Sequence, residues 1–214
     1  MAWLKPAHQG VEDWNSRLKA NDPTLTAIHV FKARKFGHEE VELFGLRQLD
    51  LARNPVGNSG AEALAQSMQH LEAVDLSECS ISAAEALREK PPLEILRLRG
   101  NRLGDQGAEA LAEAIRDDTA LVELDVGSCE VGPSGVELIA AGTHLRKLSL
   151  FDSRIGDEAV KRMAALMQAE ALTALLELEL SGCGIGPPGM TALFDVLQTG
   201  VVPALEVRLM RDCR

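Results

Sequence analysis

The sequence predicts an α/β protein, a right-handed solenoid of horseshoe form with a concave parallel β-sheet and convex helices. Three observations predict it. One apolar template recurs along the 214 residues, glycine pairs come after it at matching offsets, and an apolar stretch of helical period comes after each pair. The pattern reads as strand, turn, helix, repeated.

The template is set by Leu46, Leu49, Leu51, Asn54 and Val56. It recurs at Leu71/Val74/Leu76/Cys79/Ile81, Leu93/Leu96/Leu98/Asn101/Leu103 and Leu121/Leu124/Val126/Cys129/Val131. Two further units are Leu145/Leu148/Leu150/Ser153/Ile155 and Leu175/Leu178/Leu180/Cys183/Ile185. A weaker unit precedes them at Leu25, Ile28 and Val30, and a partial strand, Leu205/Val207/Leu209, comes after. Chance does not supply this agreement.

The second half of each unit predicts a helix. Gly57/Gly60, Gly104/Gly107, Gly132/Gly135 and Gly186/Gly189 open apolar runs such as Ala108/Leu111/Ala112/Ile115 and Met190/Leu193/Phe194/Leu197. The fifth unit does the same with Val160/Met163/Ala164/Met167. Each run buries one face. None of the glycine pairs continues into Gly-Lys-Ser/Thr, so a turn requirement explains them without a phosphate ligand.

On these residues the chain resembles the ribonuclease-inhibitor-like class of leucine-rich repeats, also seen in Nod-like receptors and in the tropomodulin C-terminal domain. The resemblance covers roughly residues 25–210. The ninth template position runs Asn54, Cys79, Asn101, Cys129, Ser153, Cys183, similar to that class's alternation of Asn-type and Cys-type repeats. The motif is specific for fold and says little about the partner.

Val11, Trp14 and Leu18 share one helical face, which ends at Asn21-Asp22-Pro23. Residues 1–24 are therefore expected to form a helical cap, because a terminal repeat otherwise exposes half its core. Residues 25–214 are expected to hold about seven full repeats and the final partial strand. Its edge is expected to be covered by a partner or by a second copy, as in a homo-dimer.

Composition narrows the function. Acidic residues outnumber basic ones 32 to 22, a formal charge of −10, which argues against nucleic acid or an anionic membrane as the main partner. No apolar h-region opens the chain, and no apolar stretch approaches the length of a membrane span. With four cysteines and no zinc spacing, a reducing, cytoplasmic setting is the expectation, with no metal or cofactor. No Ser-His-Asp or Cys-His constellation assembles by spacing, so the reading is of a protein that is not an enzyme.

Alternation places candidate binding residues. Template leucines point inward, so the third, fifth and seventh positions face out on the concave sheet. There Arg97 and Arg99 make a basic spot flanked by Asp75 and Asp125 on neighbouring strands, read equally as cross-strand ion pairs or as anchors for a partner. Phe151 and Phe31 are rings at outward positions, and Glu179 extends the acidic row. The expected site is Asp75, Arg97, Arg99, Asp125, Phe151 and Glu179, binding a protein with basic segments. The competing reading is a structural subunit of a large multiprotein assembly.

Overall fold

A computed structural model describes residues 27–29, 47–67, 70–82, 93–116, 120–133, 135 and 142–209. The expected N-terminal cap, Phe31, the helical run at Val136/Ile139/Ala140 and residues 210–214 lie outside the described residues.

Among the described residues, eight three-residue strands form one parallel sheet in strict sequence order: β1 Ala27–His29, β2 Gln48–Asp50, β3 Ala73–Asp75, β4 Ile95–Arg97, β5 Glu123–Asp125, β6 Lys147–Ser149, β7 Glu177–Glu179 and β8 Glu206–Arg208. The register obeys the template. Ile28, Leu49, Val74, Leu96, Leu124, Leu148, Leu178 and Val207 pair across successive strands. Among the described residues, four helices are α1 Gly57–Ser67, α2 Gly104–Ile115, α3 Gly156–Gln168 and α4 Pro187–Gln198. Each crossover from one parallel strand to the next leaves and re-enters the same sheet, the connection for which the right-handed sense is nearly universal. The partial strand predicted at Leu205/Val207/Leu209 is β8, in which Val207 takes the fourth template position opposite Leu178.

The core is the stacked set of template side chains. Leu51, Leu76, Leu98, Leu124, Val126 and Leu150 are fully buried, and helix residues Ala108, Leu111, Val160 and Met163 close over them. Removing such a leucine costs about 2–5 kcal/mol, the lost transfer energy plus the cavity left behind.

Polar side chains hold the turns where the sheet's own hydrogen bonds run out. Asn101 Nδ2 donates to the carbonyls of Leu98 (2.6 Å) and Leu76 (2.8 Å), while its Oδ1 accepts from the N–H of Cys79 (3.1 Å) and Ile81 (3.0 Å). Asn54 Nδ2 donates likewise to Leu51 O at 2.8 Å. In alternate units a thiol takes this place, with Cys79, Cys129 and Cys183 Sγ donating to the carbonyls of Leu51, Leu98 and Leu150. Burial pushes these thiols up to about 11, 12 and 11, so they stay protonated donors, and all three are free. Ser153 is the exception in this row: its hydroxyl is buried and finds no partner among the described residues.

A second ladder runs through the helix starts. The residue after the opening glycine reaches into the next unit: Asn58 Oδ1 accepts from Ser82 N–H (2.8 Å), Asp105 Oδ1 from Gly132 N–H (2.9 Å) and Asp157 Oδ1 from Gly186 N–H (2.6 Å). These bonds tie each repeat to its neighbour on the rim of the sheet where the helices begin.

Candidate functional site

The concave face is built by the alternation that builds the core. With every fourth- and sixth-position side chain directed inward, the fifth-position row emerges as Asp50, Asp75, Arg97, Asp125, Ser149, Glu179 and Arg208, each partly or fully exposed. Parallel register sets Asp50 beside Asp75, Asp75 beside Arg97, and Arg97 beside Asp125. All six expected site residues therefore lie on one continuous surface, with Glu179 two strands beyond Asp125.

Three of the carboxylates have a local duty that the sequence did not announce. Asp75 Oδ1 accepts from Ser77 N–H (2.9 Å), Asp125 Oδ1 from Gly127 N–H (2.9 Å) and Glu179 Oε1 from Ser181 N–H (2.8 Å). Asp50 does the same for Ala52. A side-chain acceptor two residues before an N–H closes the strand exit, as an Asx-type turn at the three aspartates and through the longer Glu179 in the last case. The eighth-position residue that comes next is left-handed in these units, at Arg53, Glu78, Ser128 and Gly182, and equally at Gly100 and Asp152, whose units lack the acid. The signal was present in the fifth-position acids, yet it reads equally well as a solvated row.

Arg97 forms a cross-strand ion pair with Glu123 of the neighbouring strand, and its charge also acts on Asp75. Its Nε and Nη2 both donate to Glu123 Oε1, at 3.0 and 2.5 Å. Glu123 occupies the third template position, at the start of β5, and reaches Arg97 diagonally, whereas Asp75 and Asp125 accept from their own backbone. The third-position row continues as Lys147, whose Nζ meets Glu177 Oε1 at 2.7 Å, and Arg208 lies 3.8 Å from the other oxygen of Glu177. Ala73, Gly127 and Ser181 are buried although they occupy outward template positions. Small side chains there lie below the reach of longer neighbours.

Burial raises the carboxyl of Asp75 above its ordinary range, and the adjacent Asp50 charge adds to this. The Ser77 hydrogen bonds and the Arg97 charge oppose it.

The seventh-position row holds the most distinctive contact. The Arg99 guanidinium carbon lies over the Phe151 ring, 4.3 Å from its centroid. Arg99 leaves β4 and Phe151 leaves β6; between them, on the exit of β5, stands Gly127. A Cβ at Gly127 would come within 3.0 Å of Phe151 Cβ and 3.1 Å of Phe151 O. Glycine leaves the gap across which the arginine reaches its ring. The ring's outward placement was legible in the sequence, whereas its pairing with Arg99 across an intervening strand was not.

Among the described residues no group of three or more His, Cys, Asp or Glu side chains is arranged to hold a metal ion, and no helix is long and apolar enough to cross a membrane.

A parallel ladder of short strands, alternating with helices and locked by an Asn or Cys at the ninth position, defines a leucine-rich repeat protein. The chain belongs to the leucine-rich repeat family, which it matches at residues 46–65, 89–112, 118–140, 143–164 and 171–194, more than half its length. It is similar to ribonuclease inhibitor from Sus scrofa, 29% identical over 197 residues, covering 72% of this chain and 43% of that protein. It is similar also to NACHT, LRR and PYD domains-containing protein 12 from Mus musculus, 30% identical, covering 72% of this chain and 18% of that one. Among solved structures, the tropomodulin C-terminal domain of Caenorhabditis elegans matches at 17% identity, over 89% of this chain and 92% of that chain, with a TM-score of 0.41. The chain spans less than half the length of the curated relatives it matches.

Proposed function

We propose that this chain is a non-catalytic protein–protein interaction module that presents its concave sheet to a protein partner. The observation that carries this reading is the Arg99–Phe151 pair, an aromatic ring and a guanidinium held together on an outward row. Arginine and aromatic residues are enriched among the anchors of protein interfaces. Asp75, Arg97, Asp125 and Glu179 surround this pair and supply the polar rim. The formal charge of −10 favours a partner that is net basic or presents basic segments, by steering its approach. A relative whose name describes inhibition of a ribonuclease, itself a protein, agrees with this class of function.

The test is capture of partners from the native source, with hydrogen-exchange mapping of each complex. Arg99→Ala with Phe151→Ala should weaken binding by about tenfold to a hundredfold, the loss of one interface anchor. Glu113→Gln, on the exposed side of α2, should leave it unchanged. Equal binding by all variants to every captured partner overturns the assignment. A second reading, a permanent subunit of a large assembly, is favoured by Phe194 on α4, an exposed ring on the convex side. Under that reading the isolated chain aggregates or stays unfolded, which a solution mass reports.

A further inference from the structure

We infer that Arg99 is a preorganised receptor for a single carboxylate of the partner, carried between basic residues. This rests on the proposed concave-face function and names the chemistry of its central contact.

The arginines of the concave rows differ in what they already hold. Arg97 has its Nε and one terminal nitrogen on Glu123, and Arg208 lies near Glu177 and Glu206. Arg99 is exposed, and its one side-chain contact among the described residues is the Phe151 ring. The ring contact involves no hydrogen-bond acceptor, and no side-chain N–H of the exposed Arg99 is bonded to a protein acceptor among the described residues, so these donors are available to a ligand. Those donors form a rigid fork that matches the two oxygens of a carboxylate, a match that lysine does not offer.

The fork is also held in place before any partner arrives. Strands lie ~4.8 Å apart, so side chains two strands apart start roughly 10 Å from one another. Arg99 spans that distance because Gly127 contributes no side chain between them. The contact biases a long flexible arm towards this position and so lowers the ordering cost of binding.

The surrounding charge selects the context of the carboxylate. Asp50 and Asp75 stand side by side in register on β2 and β3, and Asp125 adjoins them beyond Arg97. A purely acidic segment is repelled by this row and by the overall negative charge. A segment with one acidic residue among lysines or arginines satisfies both the fork and the row.

Two capped peptides serve as probes: Lys-Lys-Glu-Leu-Lys-Lys, and the same peptide with glutamine replacing glutamate. Titration into nitrogen-15-labelled full-length protein, read at the Arg99 Nε–H resonance and at the concave amides, should show the glutamate peptide binding about tenfold more tightly, as a charge-assisted pair requires. Arg99→Lys and Phe151→Leu should each abolish that preference while leaving the lysine-driven binding of both peptides. Equal affinity of the two peptides for the wild type, with shifts still on the concave strands, overturns the carboxylate receptor and leaves the concave-face reading standing. Shifts confined to the helices overturn both.

Discussion

The guanidinium of Arg99 stacks on the ring of Phe151 although the two residues leave strands that are not neighbours in the sheet. Just past the end of the strand between them stands Gly127, where an added Cβ would press on Phe151 Cβ and on its carbonyl oxygen. The contact thus depends on three successive repeats having different side chains at one template position.

Gly127→Ala is the direct test of this arrangement. The added methyl group meets Phe151 Cβ at 3.0 Å and both Asp125 Oδ1 and Phe151 O at 3.1 Å, so these neighbours must give by a few tenths of an ångström. Overpacking of this kind costs about 1–3 kcal/mol. The ring-current shift of the Arg99 side-chain protons should collapse towards that of an unstacked arginine, and the urea midpoint should fall. An unchanged Arg99 spectrum in the alanine variant contradicts the stack.

Asp157 is expected to matter more for stability than its place at the exposed start of a helix suggests. One oxygen accepts from Gly186 N–H at 2.6 Å and from Gly189 N–H at 3.2 Å, joining the fifth unit to the sixth. Asp157→Ala should cost about 1.5–3 kcal/mol, the range for hydrogen bonds to a charged group. Chemical denaturation measures it, and hydrogen exchange should show α4 losing protection before α2.

Ser153 offers the opposite sign. Its buried hydroxyl has no partner among the described residues, whereas Asn54 and Asn101 at the same template position donate to the carbonyl three residues earlier. Leu150 O already accepts from Ser153 N–H and from Cys183 Sγ, so the stabilising change is Ser153→Ala, which removes the unpartnered hydroxyl and should gain about 1 kcal/mol. A raised thermal midpoint confirms it.

Asp75 sets a pH dependence. Its folded-state carboxyl titrates above the ordinary 3.8 because burial disfavours the charge, with Asp50 adding to the effect. The folded state therefore holds this proton more tightly than the unfolded chain does. Stability from this group falls as pH rises from 3.8 through the raised value, and the penalty is complete at neutral pH. Asp75→Asn keeps an acceptor for Ser77 N–H and removes the charge. It should raise the urea midpoint at pH 7, with the gain vanishing below about pH 4. A constant difference across that range contradicts a buried-charge penalty.

Counting along the chain is enough to find the repeat, the inward leucines, the ninth-position Asn and Cys and the row that faces out. All of these come from a period, and a period is a one-dimensional property. Leu49, Leu96 and Leu148 belong in the core, and Asp75 and Phe151 on the face, by position alone. Which outward side chains meet is settled in three dimensions, because it depends on length and lean across strands. Glu123 reaches Arg97 diagonally, while Asp75 and Asp125 close their own turns. Arg99 finds Phe151 because parallel stacking sets Gly127 between them, and no spacing along the chain encodes that adjacency.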